Sequence, residues 1–183
     1  MKTIKKIFSQ LLIYCTWIII STLVWSWLFN IATDTSAQKK ITVFVEAEEV
    51  SDNAFAVYLE SVMPEKLKMV KVHPFSYAMF DEYTLTHADI YIVKADEAEK
   101  YIESFAPIEN REDGKEYFEY DGKTYGIKIY DAATGRGSEK EYITYSDCDY
   151  YLFYGVNSVH IGEINGSDDE YAFDAAGEIF KLN

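Results

Sequence analysis

The chain has 183 residues and carries 31 acidic side chains against 17 basic ones, which gives a formal net charge of −14 at pH 7. Such an acidic surface repels nucleic acids and anionic lipid head groups, so a nucleic-acid partner is excluded. The two cysteines, Cys15 and Cys148, lie in separate parts of the chain. A packed core rather than a disulfide must therefore hold the fold together.

Residues 11–29 form an uncharged apolar run, and Lys2, Lys5 and Lys6 precede it. About 20 helical residues cross a hydrocarbon core of roughly 30 Å, so this run predicts one transmembrane helix that contacts the lipid bilayer. The positive-inside rule places the basic leader, residues 1–10, in the cytoplasm. The rest of the chain is then expected outside the cell membrane.

A cleaved signal peptide is the alternative to this single-pass anchor. Thr35, Ser36 and Ala37 are small residues of the kind found at cleavage sites, and cleavage near Ala37 would release a secreted form beginning at Gln38. The apolar run exceeds the roughly 7 to 15 residues usual for a signal peptide, which favours the uncleaved anchor.

Residues 30–40 are interpreted as a linker, and residues 41–183 as one extracytoplasmic domain. This domain contains 12 Lys and Arg residues against 30 Asp and Glu residues, a formal charge of −18. About 143 residues are enough to bury a sizeable core.

The first half of this domain alternates strand and helix patterns. Apolar and β-branched runs predict strands at 41–45, 67–72 and 88–93. Helical spacing predicts helices at 55–62, 76–85 and 96–105, and Asp96 with Glu99 matches a capping box at the start of the last helix. This order predicts an α/β fold with a mostly parallel, twisted sheet flanked by helices.

The second half predicts an antiparallel addition to that sheet. Asp121-Gly122 is a preferred two-residue hairpin turn and lies between strand patterns at 117–120 and 123–130. Further strands are predicted at 142–145, 150–154 and 159–164. Ser167 with Glu170 matches a second capping box, and it precedes an amphipathic helix pattern that ends near Phe180.

Several segments resemble the extracellular solute-binding proteins of ABC transporters, especially the sugar-binding class. They are ADIYIV at 88–93, FEYDGKTYGIKIYD at 118–131 and YYLFYGVNSVHIGE at 150–163. Members of that family are much longer and close two lobes on a ligand, so the resemblance implies about one lobe. The chain departs from the family at Gly155, where the family has asparagine, and it has no lipid-attachment cysteine.

The resemblance implies binding without catalysis. The expected ligand is a small solute of the sugar or peptide class, or a transporter or other membrane protein partner. The alternative is an interaction or sensor module with no small-molecule ligand. No Ser/His/Asp set is recognisable, so no enzyme is predicted. His73, His87 and His160 lack the spacing of a metal site, and no cofactor is expected.

The expected ligand site is the crevice beyond the carboxyl ends of the strands, where open α/β sheets bind their ligands. The resembled family also places ligands at such positions. Asp96 has a competing structural role as a helix cap. The six candidate residues are Glu46, Glu48, Lys94, Asp96, Tyr125 and Tyr130.

Overall fold

The structure is a computed structural model that describes residues 2–33, 35–79, 82–109, 111, 114–167 and 169–182. The chain divides into two compact units, Met1–Thr35 and Ser36–Asn183.

The first unit contains a single helix, α1, at Lys2–Thr33. Within it, Gln10–Phe29 is long and apolar enough to cross a membrane, and a signal sequence would have the same character. The hydroxyls of Thr16 and Thr22 donate to the carbonyl oxygens of Leu12 and Ile18, at 2.9 and 2.8 Å. Each bond satisfies a threonine hydroxyl within the helix, as an apolar surrounding requires.

A mixed sheet forms the centre of the second unit. Its strands and those of a small two-stranded sheet are β1 (Lys40–Val45), β2 (Glu49–Val50), β3 (Met69–Pro74), β4 (Ile90–Lys94), β5 (Tyr117–Tyr120), β6 (Lys123–Asp131), β7 (Arg136–Gly137), β8 (Ile143–Thr144) and β9 (Tyr150–Tyr154). The main sheet has the spatial order β3-β1-β4-β9-β6-β5, with β7 also paired to β6, while β2 pairs with β8.

The helices of this unit are short. They are α2 (Asp52–Val62), α3 (Glu82–Thr86) and α4 (Tyr171–Lys181). Four further segments form 3-10 turns, at Ala37–Lys39, Phe75–Met79, Ala98–Ser104 and Gly162–Ile164.

The predicted α/β fold with a helix-flanked sheet is confirmed, but the sheet is not mostly parallel. Only β3, β1 and β4 are mutually parallel, and β9 runs antiparallel to both β4 and β6. The apolar run of β4 indicates burial on both faces, which a central strand has whatever the direction of its neighbour. The path of residues 95–149, which connect β4 to β9, decides in which direction β9 runs.

Two apolar clusters cover the two faces of the sheet. The first contains Val43 and Ile92 with residues of α2 and α4, and the second contains Phe44, Tyr91 and Phe153. Neighbouring residues of one strand enter different clusters because side chains alternate across a sheet. The sheet is therefore covered on both sides.

The hairpin prediction is confirmed in detail. Asp121 and Gly122, between β5 and β6, have φ values of 47° and 74°. Positive φ at both central residues is what a two-residue turn needs to match the twist of its strands.

Both predicted capping boxes are wrong. Ala98–Ser104 is a 3-10 turn whose N-cap residue is Glu97, and α4 starts only at Tyr171, directly after Glu170. Neither N-cap residue forms a side-chain cap bond. Ser167 instead uses its hydroxyl oxygen to accept from the backbone N–H of Ile161 at 3.0 Å.

The strand predicted at 159–164 is also absent, since this stretch folds into bends and the turn at Gly162–Ile164. His160 and Ile161 are both fully buried despite the lack of strand pairing. Gly155, which precedes this stretch, has no room for a side chain, because a Cβ atom would collide with the carbonyl oxygen of Ala88. The asparagine of the resembled family cannot fit there.

Replacing Ile92 by Asp should abolish folding of the second unit. Ile92 is fully buried in β4, opposite Val45 on one side and Leu152 on the other, so the carboxylate would have no partner and no water. Circular dichroism during thermal unfolding measures this loss. Val57→Asp, at a position of α2 that is 65% exposed, is the matched control. An Ile92→Asp chain that melts within a few degrees of the parent would contradict the central position of β4.

Candidate functional site

The crevice predicted from the sequence lies at the carboxyl ends of β1 and β4. Glu46 is half-buried there, and its backbone N–H donates to the carbonyl of Ile92 at 2.8 Å. Its carboxylate accepts from the backbone N–H of Lys94 at 3.4 Å. Burial raises the pKa of Glu46, and nearby Glu97 and Asp96 add to the effect, while the N–H and the charge of Lys94 oppose it.

The structure thus brings together three of the six candidate residues, Glu46, Lys94 and Asp96. Glu48 is exposed beside the small sheet, where its N–H donates to the carbonyl of Thr144 at 3.1 Å.

The two candidate tyrosines lie on opposite faces of the sheet. Tyr125 packs against the cluster that contains Phe153, whereas Tyr130 packs against the other cluster and stacks on Tyr145 at 4.4 Å between ring centroids. No single ligand can therefore contact both rings from one side of the sheet.

A cavity of about 380 Å³ lies at the opposite end of the sheet, beside the carboxyl end of β9 and the amino end of β4. We call it the edge cavity. Its apolar wall includes Pro107, Ile161 and Phe173, and its more exposed side includes Glu109, Val156, Asn165 and Glu170.

Backbone hydrogen bonds hold one wall of the edge cavity. The segment after the Ala98–Ser104 turn runs beside β9, where the N–H of Ala106 donates to the carbonyl of Tyr154 at 2.8 Å. The N–H of Val156 donates to the carbonyl of Ser104 at 2.9 Å. These bonds hold the segment that contains Ala106 against the end of β9.

The loop after β9 forms the other wall. Gly162 has a φ of +54°, and a Cβ atom there would collide with the side chain of Glu170, so glycine allows this carboxylate to lie over the loop. The amide of Asn165 donates to the carbonyl of Ser158 at 2.5 Å. The phenyl ring of Phe173, from α4, packs against Tyr154 at 4.4 Å between ring centroids.

A buried polar network supports this loop from inside. Asp89 accepts from the backbone N–H of Thr42 at 2.7 Å and from the hydroxyl of Ser158 at 2.5 Å. The hydroxyl oxygen of Ser158 in turn accepts from the backbone N–H of His160 at 3.0 Å. Burial raises the pKa of Asp89, although the bonds from Ser158 and Thr42 oppose the rise.

His160 connects the network to the first residues of the domain. Its Nδ1 lies 2.6 Å from an oxygen of Asp169, and its Nε2 lies 2.8 Å from the carbonyl oxygen of Ala37 and 3.1 Å from that of Lys40. Carbonyl oxygens only accept, so Nε2 carries a proton, and an ionised Asp169 places a second proton on Nδ1. The geometry therefore favours a charged imidazolium.

The pKa of His160 agrees with that assignment. Burial alone lowers it, but the bonds to Asp169 and Ala37 and the charge of Asp89 outweigh burial and leave the pKa raised. A raised histidine pKa stabilises the fold fully below the ordinary value of 6.5, and this contribution is lost as the pH rises through the folded value.

This network contains serine, histidine and aspartate but does not have the arrangement of a catalytic triad. The hydroxyl of Ser158 donates to Asp89, and both ring nitrogens of His160 are occupied by Asp169 and backbone carbonyls. No ring nitrogen is left to take the serine proton. Among the described residues, no group of three or more His, Cys, Asp or Glu is placed to hold a metal ion.

A second buried carboxyl group lies away from the edge cavity. Glu139 is 1% exposed, and one of its oxygens lies 3.0 Å from the hydroxyl of Tyr145. Within the described part of the chain, its other oxygen has no hydrogen-bond partner. Burial raises the pKa of Glu139 to about 8, against a smaller opposing effect of Tyr145.

Sequence reasoning missed the edge cavity and both buried acidic groups. Ser158 and Asp89 are 69 residues apart, and His160 and Ala37 are 123 residues apart. No local pattern indicates such contacts, and the two-residue spacing of Ser158 and His160 is too common to be a signal.

Comparisons with protein-family models, with curated proteins and with solved structures give no match for this chain.

Glu139→Gln should remove a pH dependence of stability. The folded chain binds the Glu139 proton more tightly than the unfolded chain, whose ordinary pKa is 4.5, so the parent loses stability as the pH rises from 4.5 through about 8. The loss is at most roughly 4–5 kcal/mol. Urea unfolding at pH 5 and pH 8.5 measures it, with exposed Glu141→Gln as the control. Equal pH slopes for the parent and Glu139→Gln would contradict the buried-acid assignment.

Proposed function

We propose that the protein is a membrane-anchored, non-enzymatic binding protein whose extracytoplasmic domain takes a small solute into the edge cavity. The observation that carries this proposal is the cavity itself. Its volume of about 380 Å³ lies within the roughly 300–1,000 Å³ range of ligand pockets, and its walls combine apolar residues with a few polar groups.

The anchored location is supported by α1 and by the charge around it. Gln10–Phe29 has the length and composition of a membrane span, and Lys2, Lys5 and Lys6 precede it. By the positive-inside rule, the amino terminus then lies in the cytoplasm and the second unit lies outside.

The resemblance to solute-binding proteins also supports the proposed activity. The parallel strands β3, β1 and β4 and the hairpin, both expected from the sequence, are present in the fold. The site differs from the one that the resemblance implied. The edge cavity is enclosed by residues of one unit alone, so a solute can be held without the second lobe of the longer proteins. Delivery to a transporter partner is part of this proposal.

A sensor or interaction module without a small-molecule ligand is the second candidate, and the position of His160 favours it. This residue bonds to Ala37 and Lys40, the residues through which the chain first enters the domain, and to Asp169 in the loop that borders the edge cavity. Loss of its charge would loosen contacts at both places.

The anchor makes a direct prediction for the full chain expressed in cells. The protein should stay in the membrane fraction after washing at high salt and at alkaline pH, and protease added from outside should digest its carboxyl-terminal domain. Immunoblotting of both ends measures this. Recovery of a soluble form that begins near Gln38 would show a cleaved signal sequence instead.

The cavity makes the second prediction. Val156→Trp places an indole at the mouth of the edge cavity and should abolish binding of solutes found by ligand-observed NMR with sugars, amino acids and short peptides. The full chain in nanodiscs is the target, and Val57→Trp on the exposed face of α2 is the matched control. Hits that bind the Val156→Trp variant normally but weaken in a Glu46→Gln variant would move the site to the carboxyl ends of β1 and β4.

A further inference from the structure

In the described part of the chain, the rim of the edge cavity carries negatively charged side chains and no positively charged one. Among its lining residues, Glu109 and Glu170 are acidic and none is lysine, arginine or histidine. Both carboxylates belong to exposed residues, and within the described part of the chain neither forms an ion pair or a side-chain hydrogen bond. The cavity therefore presents uncompensated charge beside apolar walls.

Several carboxylates elsewhere on this surface do have a basic partner. Glu119 pairs with Arg111 at 2.5 Å, and Glu178 pairs with Lys181 at 2.6 Å. Lys128 lies 2.6 Å from Glu116 and 2.9 Å from Asp149. Among the residues that the structure describes, these basic side chains lie at other places, and none lines the edge cavity.

From this arrangement we infer that the solute is an organic cation, an ammonium or guanidinium group carried on an apolar body. The inference rests on the proposed function and adds the chemical class of its ligand. The apolar body packs against Ile161 and Phe173, and the cationic head lies between the rim carboxylates. Charge-assisted hydrogen bonds to carboxylates are shorter and stronger than neutral ones.

The walls discriminate against the other classes of small solute. An anion would face two carboxylates, and like charges repel. A sugar needs hydrogen-bonding groups along most of its surface, but Pro107, Ile161 and Phe173 provide none from their side chains. Asn165 is already engaged, because its amide donates to Ser158 and its oxygen accepts from the N–H of Ser167 at 3.3 Å.

The test is isothermal titration of the full chain in zwitterionic nanodiscs with phenethylamine, and empty nanodiscs give the background for membrane partitioning. The neutral alcohol 2-phenylethanol and the anion 3-phenylpropanoate have the same apolar body and a different head. We expect phenethylamine to bind about tenfold more tightly than the alcohol, since each partly exposed charge pair contributes up to about a fivefold gain. The anion should bind weakest.

Glu109→Gln and Glu170→Gln should each weaken phenethylamine binding about three- to fivefold without changing alcohol binding, and the double variant should remove the preference for the amine. Glu48→Gln, which changes an exposed carboxylate of the originally predicted crevice, should have no effect. Because all three residues are exposed, the variants should fold as the parent does. An acetylated and amidated Phe-Lys dipeptide shows whether a peptide can supply the same cation.

Equal affinity for amine and alcohol, with both lost in Val156→Trp, would overturn the inference and leave the proposed function standing. A double variant that binds phenethylamine as tightly as the parent would also overturn it. If neither phenethylamine nor the dipeptide binds, the cationic class is wrong. The sugar, amino-acid and peptide screen then decides separately whether the edge cavity binds any solute.

Discussion

Burial of β4 on both faces is the constraint from which the rest of the domain follows. One apolar cluster contains Ile90 and Ile92, and the other contains Tyr91 and Val93. Neither face of the strand therefore contacts water. With α2 and α4 covering one face and aromatic side chains covering the other, an unpaired charge in the middle of β4 would be strongly destabilising. The buried or half-buried carboxylates next to β4, Asp89 and Glu46, therefore lie at its two ends.

The two ends of β4 differ in the partners that their charged side chains have. At the carboxyl end, Glu46 accepts from the backbone N–H of Lys94, and the charge of Lys94 opposes the effects of burial, Glu97 and Asp96 on the Glu46 pKa. At the amino end, Asp89 and His160 are enclosed in a hydrogen-bonded network that fixes the loop after β9. The outer side of that same loop borders the edge cavity. A fully bonded internal network makes a cavity wall rigid, and a rigid wall lowers the entropic cost of binding.

Three buried ionisable groups have pKa values that are shifted in the same direction. The pKa values of Asp89, Glu139 and His160 are all raised, the first two by burial and the third by its bonded partners against burial. Each group makes the folded chain bind protons more tightly than the unfolded chain. Protonation also reduces the repulsion within a chain of formal charge −14. The stabilisation that these three groups contribute is therefore lost as the pH rises through their folded pKa values.

The sequence by itself determined the apolar helix, the strands β1, β3, β4 and β9 and the turn at Asp121-Gly122, because hydrophobic runs and backbone preferences act over a few neighbouring residues. Only the tertiary structure decided the direction of β9, the loss of both helix caps and the position of the cavity. The edge cavity depends on Ala106 meeting Tyr154 and on Ser158 reaching Asp89, which are contacts between distant parts of the chain. Such contacts depend on how whole elements pack, and no local pattern of residue types specifies them.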